Sequence, residues 1–581
     1  MEDYLLAGGR ALVLADESYP GPFAGTEIRG IRRPVWIAHA RSPDHPILKE
    51  IPAKCLWHWV GADEPFYSPP VETNVPSIFM ARRPTARPTR GNYRTLIDAA
   101  YRVDADHNEG LVIAPMIEVR AGKGRAIFCS LLLGGGLKAG EPAAATLLER
   151  SLAYLQTPGQ WRGGEPRPAV AIGVDLTPLG FATTDRLSEA SALIIYAASD
   201  AGKAALARDE WVHYLREGGT VLINNASAEQ IAAIAAATGV TLETFTATGG
   251  PPNGEGPPTR LDWVSYNWIN ESLSHFDASW NEFTGMFRYE KRQPIATVGV
   301  KAEAPGAVNP SKQGALVAVP VGKGRLVLDQ TLWAGELPPS AIIRARAAGY
   351  ASQLLSNLDV AGRRIDRAIS DDAPMADAQT IALYHFEDRD LFPTLYDDGP
   401  AGLNITATDD VEIVPGKFGT ALRLKEGKAR LRQDNPELIH SPENTIDFWI
   451  RPEGEIAQAA GIIMATYRWG DHMDFVISML WDGRVYCGAG QYALVSQTAL
   501  PAGEWTRVTL TRSVAHNRMR LYFNGKLDAE AAHSGYYPVG IFFLGHPTHR
   551  NTGVNVRELG NTFRGAIDEL HIRGLEWSNN E

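Results

Sequence analysis

Cysteine is scarce in this chain. Three residues in 581 (Cys55, Cys129, Cys487) lie far apart with no C-x-x-C spacing, which excludes a disulfide framework and argues against a thiolate zinc site. No apolar run approaches the roughly 18 residues that span a bilayer. Long basic runs are also missing, and a net charge of −11 is spread thinly along the sequence, so nucleic acid and membranes are poor partners. The N-terminus "MEDYLLAGGRALVLADES" carries acids at its head and no small-residue cleavage signature, so it does not read as a signal peptide. What remains is an ordinary globular composition, 44% apolar and 21% charged, long enough for roughly three or four domains.

A phrase occurs twice. "VRAGKGRAIFCSLLL" follows residue 118 and "VPVGKGRLVLDQTLW" follows residue 318. A second pair of segments accompanies it, "EDYLLAGGRALVLAD" at 2–16 and "DEWVHYLREGGTVLINN" at 209–225. Each reads as a helix capped by a left-handed glycine and followed by a buried strand. The common layout is helix, strand, long excursion, GKGR, strand and closing helix, which predicts two α/β units with mainly parallel sheets. The second unit has earlier apolar strands, "AVAIGVDL" and "ALIIYAASD", with no counterpart in the first. The first unit therefore reads as truncated at its N-terminus, or as completed by another chain. GKGR is not a phosphate loop, because it leads into a strand and not into a helix N-terminus. It predicts a tight turn whose glycines supply positive φ.

The string "HPIL…LWHW…LVIAPMIEVRAGKGRAIFCSLLL…EPAAATLLERSLAYL" resembles the class I glutamine amidotransferase-like modules that accompany glycoside hydrolases, the beta-galactosidase trimerisation domain among them. The resemblance covers 1–157 and 168–360. True amidotransferases use a cysteine on a strand-to-helix elbow. The candidate elbow here, "ALIIYAASDAGKAAL", offers Ser199 and Asp200, while Cys55 and Cys129 lie elsewhere. A scaffold is the better reading of both units.

A polar stretch at 361–378 reads as a linker. Beyond it come short alternating strands with turn signals, "FNGK" and "WDGRV" among them, which predict an antiparallel two-sheet sandwich. "LYHFED", "FGTALRL", "TIDFWIRP", "EWTRVTLTR", "MRLYFNGKLDA" and "FRGAIDELHI" follow in the order of a LamG-like jelly roll of the concanavalin A-like lectin/glucanase superfamily, a resemblance covering 379–576. It implies that the first and last strands pair, with one structural calcium near Glu387 or Asp388 and Asp568. From the residues alone, Asp568 equally suits a turn cap that accepts backbone N–H groups.

The glutamate pair of glucanase members, close to an E-x-D-x-x-E pattern on one strand, is missing between 379 and 581, so no catalytic residue is assigned there. Aromatic and polar residues in predicted loops stand out instead: Tyr467, Trp469, Asp471 and His472 beside Arg468, then Tyr492, Tyr536 and Tyr537. Aromatic faces stack on sugar C–H surfaces while polar groups bond the hydroxyls. His546 and His549 lack a clear third ligand for a transition metal. A second aromatic stretch, 260–283, interleaves Asp262, Glu271 and Asp277.

The expected function is a non-catalytic, carbohydrate-recognising and scaffolding region of a polysaccharide- or glycoside-degrading enzyme, with a glycan as partner. The domain types imply an extracellular or periplasmic location. An upstream catalytic domain or a homo-oligomer would complete it. The alternatives are a glycoside hydrolase or lyase, beta-galactosidase-like in its relatives, built on Asp262, Glu271 and Asp277, and an oligomerisation module.

Overall fold

The computed structural model describes residues 2–14, 25–26, 28, 35, 37–57, 59, 80–81, 84–99, 113–157, 165–248, 261–273, 281–285, 288–291, 294–335, 337, 341–364, 369–388, 394–399, 405–406, 411–425, 430–433, 443–468, 472–489, 492–533, 541–545 and 562–574. The chain divides into two compact units, Met1–Ile365 and Asp366–Glu581. Both expected α/β repeats fall in the first unit. No helix among the described residues is long and apolar enough to cross a membrane.

The first repeat opens with α1 (Glu2–Leu6) and β1 (Arg10–Leu14), continues through β2 (His39–Ala40), β3 (Tyr93–Ala99), β4 (Ile113–Ala121) and β5 (Gly124–Cys129), and closes with α2 (Leu133–Lys138) and α3 (Pro142–Gln156). Its sheet order is β1-β5-β4-β3-β2. Only the β1–β5 pairing is parallel; β5–β4, β4–β3 and β3–β2 are antiparallel. This corrects the expected mainly parallel sheet for the first repeat. The excursion after β1 itself supplies β2 to β4, and Gly122 and Lys123 of GKGR are the two-residue loop of the β4–β5 hairpin, a connection too short for parallel strands.

The second repeat contains β6 (Ala169–Ile172), β7 (Ala192–Tyr196), α4 (Asp200–Leu206), α5 (Glu210–Arg216), β8 (Thr220–Asn224) and α6 (Ala228–Thr238). Two ribbons follow, β9 (Thr241–Thr246) with β12 (Val298–Glu303) and β10 (Asn281–Gly285) with β11 (Arg288–Lys291). Then come β13 (Leu316–Val321), β14 (Gly324–Asp329) and α7 (Ala341–Asn357). Here the sheet, β13-β14-β8-β7-β6, is parallel at every pairing except β13–β14, as the sequence predicts.

The two repeats share one frame. Arg10 of β1 pairs with Arg125 of β5, and Thr220 of β8 pairs with Arg325 of β14. Gly122 and Gly322 take φ of 54° and 62° at the first loop position, which suits a type II′ hairpin. The second glycine of the phrase has a different task. A Cβ on Gly124 would lie 2.1 Å from the Leu5 carbonyl oxygen, and one on Gly324 would lie 2.0 Å from that of Leu215. GKGR thus lets a hairpin run directly beneath the end of the preceding helix. Helix α7 joins the repeats: Gln353 donates to the Tyr93 carbonyl, and Ser356 accepts from the Tyr93 N–H.

The second unit is a sandwich of two eight-stranded sheets. In the first sheet the opening strand Thr380–Tyr384 pairs antiparallel with the closing strand Gly565–Arg573, as the resemblance implied. Tyr384, Phe448, Ile477, Phe542, Phe563 and Ile567 are fully buried in its core, each worth on the order of 2 kcal/mol of hydrophobic transfer. Asn524 and Gly525 of "FNGK" have φ of 49° and 77°, the pair of left-handed residues that a type I′ hairpin requires.

Candidate functional site

The second sheet of the sandwich runs Thr394–Leu395, Ile405–Thr406, Arg430–Gln433, Ile541–Gly545, Gly461–Arg468, His472–Met479, Arg484–Ala489, Tyr492–Ala499 in spatial order. Its register decides where the predicted aromatic loops go. Arg468 pairs with His472 across one hairpin tip, and Ala489 pairs with Tyr492 across another. Phe475 pairs with Ala489, so the two tips lie side by side at the same end of the sheet. Tyr467 pairs with Ile541, and the Tyr492 ring meets the His533 ring edge-on, with centroids 5.1 Å apart at 78°. The described residues that bracket 534–540 therefore reach this same end. Trp469, Asp471, Tyr536 and Tyr537 lie outside the described residues, as do His546 and His549. Gly545, which precedes the last two, pairs with Arg430 at the opposite end of its strand.

His533 was not singled out from the sequence. It is fully buried directly after the strand Lys526–Ala532, and only the long-range register reveals that it abuts Tyr492.

The three acids expected near calcium are engaged otherwise. Asp568 Oδ2 accepts from the backbone N–H of Lys417 at 2.7 Å and of Phe418 at 3.0 Å, and its Oδ1 accepts from Glu569 N–H at 2.9 Å. Glu387 accepts from the Thr420 N–H at 2.8 Å and from its hydroxyl at 2.9 Å. Asp388 Oδ2 accepts from Tyr396 N–H at 3.1 Å. Burial pushes the Asp568 carboxyl up to about 7, with the neighbouring Glu569 charge adding to the push and the N–H groups of Phe418 and Lys417 opposing it. A calcium ion wants six to eight oxygen ligands. These carboxylates accept N–H donors, and among the described residues no group of three His, Cys, Asp or Glu is placed to hold a metal. Asp568 and Glu387 fasten the closing strand and the segment after the opening strand to the turn at 416–420, and Asp388 holds that segment to Tyr396. The imidazole of His385, bonded at 2.6 Å to Glu569, belongs to the same polar seam and went unnoticed in the sequence.

In the first unit, Ser199 stands at the expected elbow, between β7 and α4. Its hydroxyl donates to the Tyr196 carbonyl at 2.8 Å and accepts from Gly202 N–H at 2.9 Å, which makes it a helix N-cap. Asp200 is exposed and pairs with Lys203 at 3.1 Å. Cys129 is buried in β5 with its thiol pushed up to about 12 by desolvation, which leaves no thiolate for nucleophilic attack. Cys55 sits in the 3₁₀ turn Ala53–Leu56, where its carbonyl accepts from the Trp59 indole at 2.9 Å. Asp262 accepts from Gln313 Nε2 at 2.9 Å. Glu271 instead lines a cavity of about 210 Å³ with Arg41, Ser42 and Tyr266. Asp277 lies outside the described residues.

Comparison with known proteins bears on the second unit. The family model of the concanavalin A-like lectin/glucanases superfamily matches residues 426–581. No curated protein matches the chain. Among solved structures, the binding domain of botulinum neurotoxin serotype D is 16% identical with a TM-score of 0.27, over 35% of this chain and 50% of that one. Domain 4 of AbnA, a GH43 extracellular arabinanase from Geobacillus stearothermophilus seen with arabinotriose, is 20% identical with a TM-score of 0.26, over 35% of this chain and 95% of that one. A sialidase from Trypanosoma rangeli, seen with sialic acid, is 10% identical with a TM-score of 0.29, over 35% and 32%. The chain thus spans about half the length of the neurotoxin domain it matches. Residues 426–581 match a lectin/glucanase jelly roll.

Proposed function

We propose that the chain is a carbohydrate-recognising protein whose glycan site is the end of the second sandwich sheet formed by the hairpin tips at 467–472 and 489–492. The first unit acts as an amidotransferase-like scaffold without catalysis of its own, and the protein works outside the cell on polysaccharide. The observation that carries this reading is the register that sets Tyr467, His472 and Tyr492 at one sheet end, beside the fully buried His533. The half-buried Tyr492 ring there offers a flat apolar face to a sugar ring, the kind of contact on which glycan recognition rests. The match of 426–581 to a lectin/glucanase superfamily supports the same reading. The capped hydroxyl of Ser199 and the protonated thiol of Cys129 support a scaffold role for the first unit.

Calorimetry of the full chain against plant, algal and mucin polysaccharides tests the proposal. Saturable binding to at least one class is expected, weakened about tenfold or more by Tyr492→Ala, because one stacked ring carries on the order of 1–3 kcal/mol. Silence across the panel, or binding indifferent to Tyr492→Ala, overturns it.

A further inference from the structure

The arginine of the repeated phrase is used differently in its two copies. In the first repeat, Arg125 Nη1 donates to the Tyr154 hydroxyl at 2.5 Å and lies 3.4 Å from the carboxylate of Glu118. The same positions in the second repeat, 200 residues on, are Leu354 and Ala318, which provide no partner. Arg325 is exposed and makes no ion pair among the described residues; its guanidinium lies over the Trp268 ring at 4.7 Å from the centroid. Trp268 comes from the aromatic stretch at 260–283.

Around this stacked pair lies a cavity of about 360 Å³, at the edge where β8 and β14 begin. Its walls include Arg167, Glu165, Thr220 and Asn357 as well as Arg325 and Trp268. Asn357 is 8% exposed, and its Nδ2 donates to the carbonyls of Ile269 at 2.9 Å and Glu271 at 3.0 Å. Those two acceptors fix the orientation of the amide. Its Oδ1 is left as a buried acceptor without a hydrogen-bond partner, and such a group costs free energy unless a donor reaches it. Arg167 also makes no ion pair among the described residues. The aspartate of the wall, Asp359, is already bound by Arg120 Nη1 at 2.5 Å. Two guanidinium groups therefore face one disengaged carboxylate, Glu165.

We infer that this cavity of the second repeat is a binding site for a carboxylated sugar ring of the uronic acid class, held by Arg325 and Arg167 at its carboxylate and by Glu165 at its hydroxyls. A guanidinium stacked on indole keeps its N–H edge free for bidentate contact with a carboxylate. A hydroxyl is a neutral donor that the exposed Glu165 carboxylate accepts. An inorganic anion would satisfy the arginines without filling the rest of the cavity or offering Glu165 the set of hydroxyls that a sugar ring carries. A neutral sugar would do the reverse. The cavity volume falls in the range of small-molecule sites.

The test is calorimetric titration of sodium glucuronate into the full chain, with glucose and inorganic phosphate as contrasts. Saturable heat is expected for glucuronate, with binding weaker by about tenfold or more for glucose and for phosphate. Arg325→Gln should abolish the heat while leaving the melting temperature unchanged, since the side chain is exposed. Arg325→Lys should recover only part of it, because the ammonium lacks the fork. Tyr492→Ala should leave glucuronate binding intact, which separates this site from the one proposed in the sandwich. No saturable heat with glucuronate, equal affinity for glucose or phosphate, or full retention in Arg325→Gln would overturn the inference.

Discussion

Glu118 in the first repeat and Asp329 in the second are both buried carboxylates, and they sit in opposite chemical surroundings. Glu118 of β4 is fully enclosed beside His45, whose Nε2 is 3.8 Å away, with Tyr154 donating at 2.7 Å and Arg125 within 3.4 Å. Burial alone would raise its pKa, but His45 and the guanidinium groups of Arg94 and Arg125 outweigh that and hold the carboxyl well below the usual range. Asp329, at the end of β14, is equally enclosed, and the side chains that donate to it among the described residues are neutral. They are the Asn224 amide at 2.9 Å, the Thr331 hydroxyl at 2.8 Å, the Trp333 indole at 2.6 Å and the Tyr350 hydroxyl at 3.2 Å. Desolvation wins there, and the carboxyl is pushed up to about 6. One frame, kept by the same glycines, thus tolerates either an ionic or a neutral interior. The frame is what the two repeats share, and the polar chemistry on it differs.

Breaking the ionic interior should have the largest effect. Glu118→Ala strands Arg125 and Arg94 beside an empty site, and a loss of about 3–5 kcal/mol in urea unfolding is expected. Asp329→Asn, which turns an acceptor into a donor facing other donors, should cost about 2–3 kcal/mol. A larger cost for Asp329→Asn than for Glu118→Ala would contradict the contrast.

The pH dependence sharpens it, because the two signs differ. Glu118 has a lowered folded pKa, so its contribution is present above the unfolded value near ~4.3 and is lost as pH falls below that. Asp329 has a raised folded pKa, so its contribution is fullest below ~3.9 and is lost as pH rises through about 6, a swing on the order of 3 kcal/mol. The deficit of Asp329→Asn should therefore grow between pH 7 and pH 4.5, while that of Glu118→Gln stays level over the same range and shrinks below it. Parallel pH profiles for the two variants would erase the distinction.

The shared frame makes a smaller prediction. Gly122→Ala and Gly322→Ala force alanine into the same left-handed turn, and each should cost about 1–2 kcal/mol. A difference of more than about 1 kcal/mol between them would mean that the turns are not equivalent. The smallest effect concerns the sandwich. Because Asp568 and Glu387 are capped by N–H donors, calcium and EDTA should each leave its melting temperature unchanged. A rise of several degrees with calcium would instead support the ion that the family resemblance implies.

Much of this was legible in the sequence because it is local. The GKGR turn, the helix-capping Gly8 and Gly218 with φ of 101° and 118°, and the Asn-Gly hairpin all follow from what glycine and asparagine allow. The antiparallel extension of the first sheet was not legible. Every residue of β3 and β4 is buried, so no alternation marks their period, and nothing in the chain announces their direction. The sandwich was readable as strands and turns, yet which loops meet depended on register. Tyr492 and His533 are far apart in the chain and touch only because of how the sheet closes. The pairing of Arg325 with Trp268 was invisible for the same reason.

The measurement that bears most directly on the proposed recognition site is hydrogen–deuterium exchange of the full chain with and without the polysaccharide that binds best in calorimetry. Protection is predicted at the hairpin ends around Arg468, His472, Ala489 and Tyr492, with the strand ends at Met479 and Arg484 unaffected. Protection confined to the opposite end of that sheet, or to the first unit, would contradict the account.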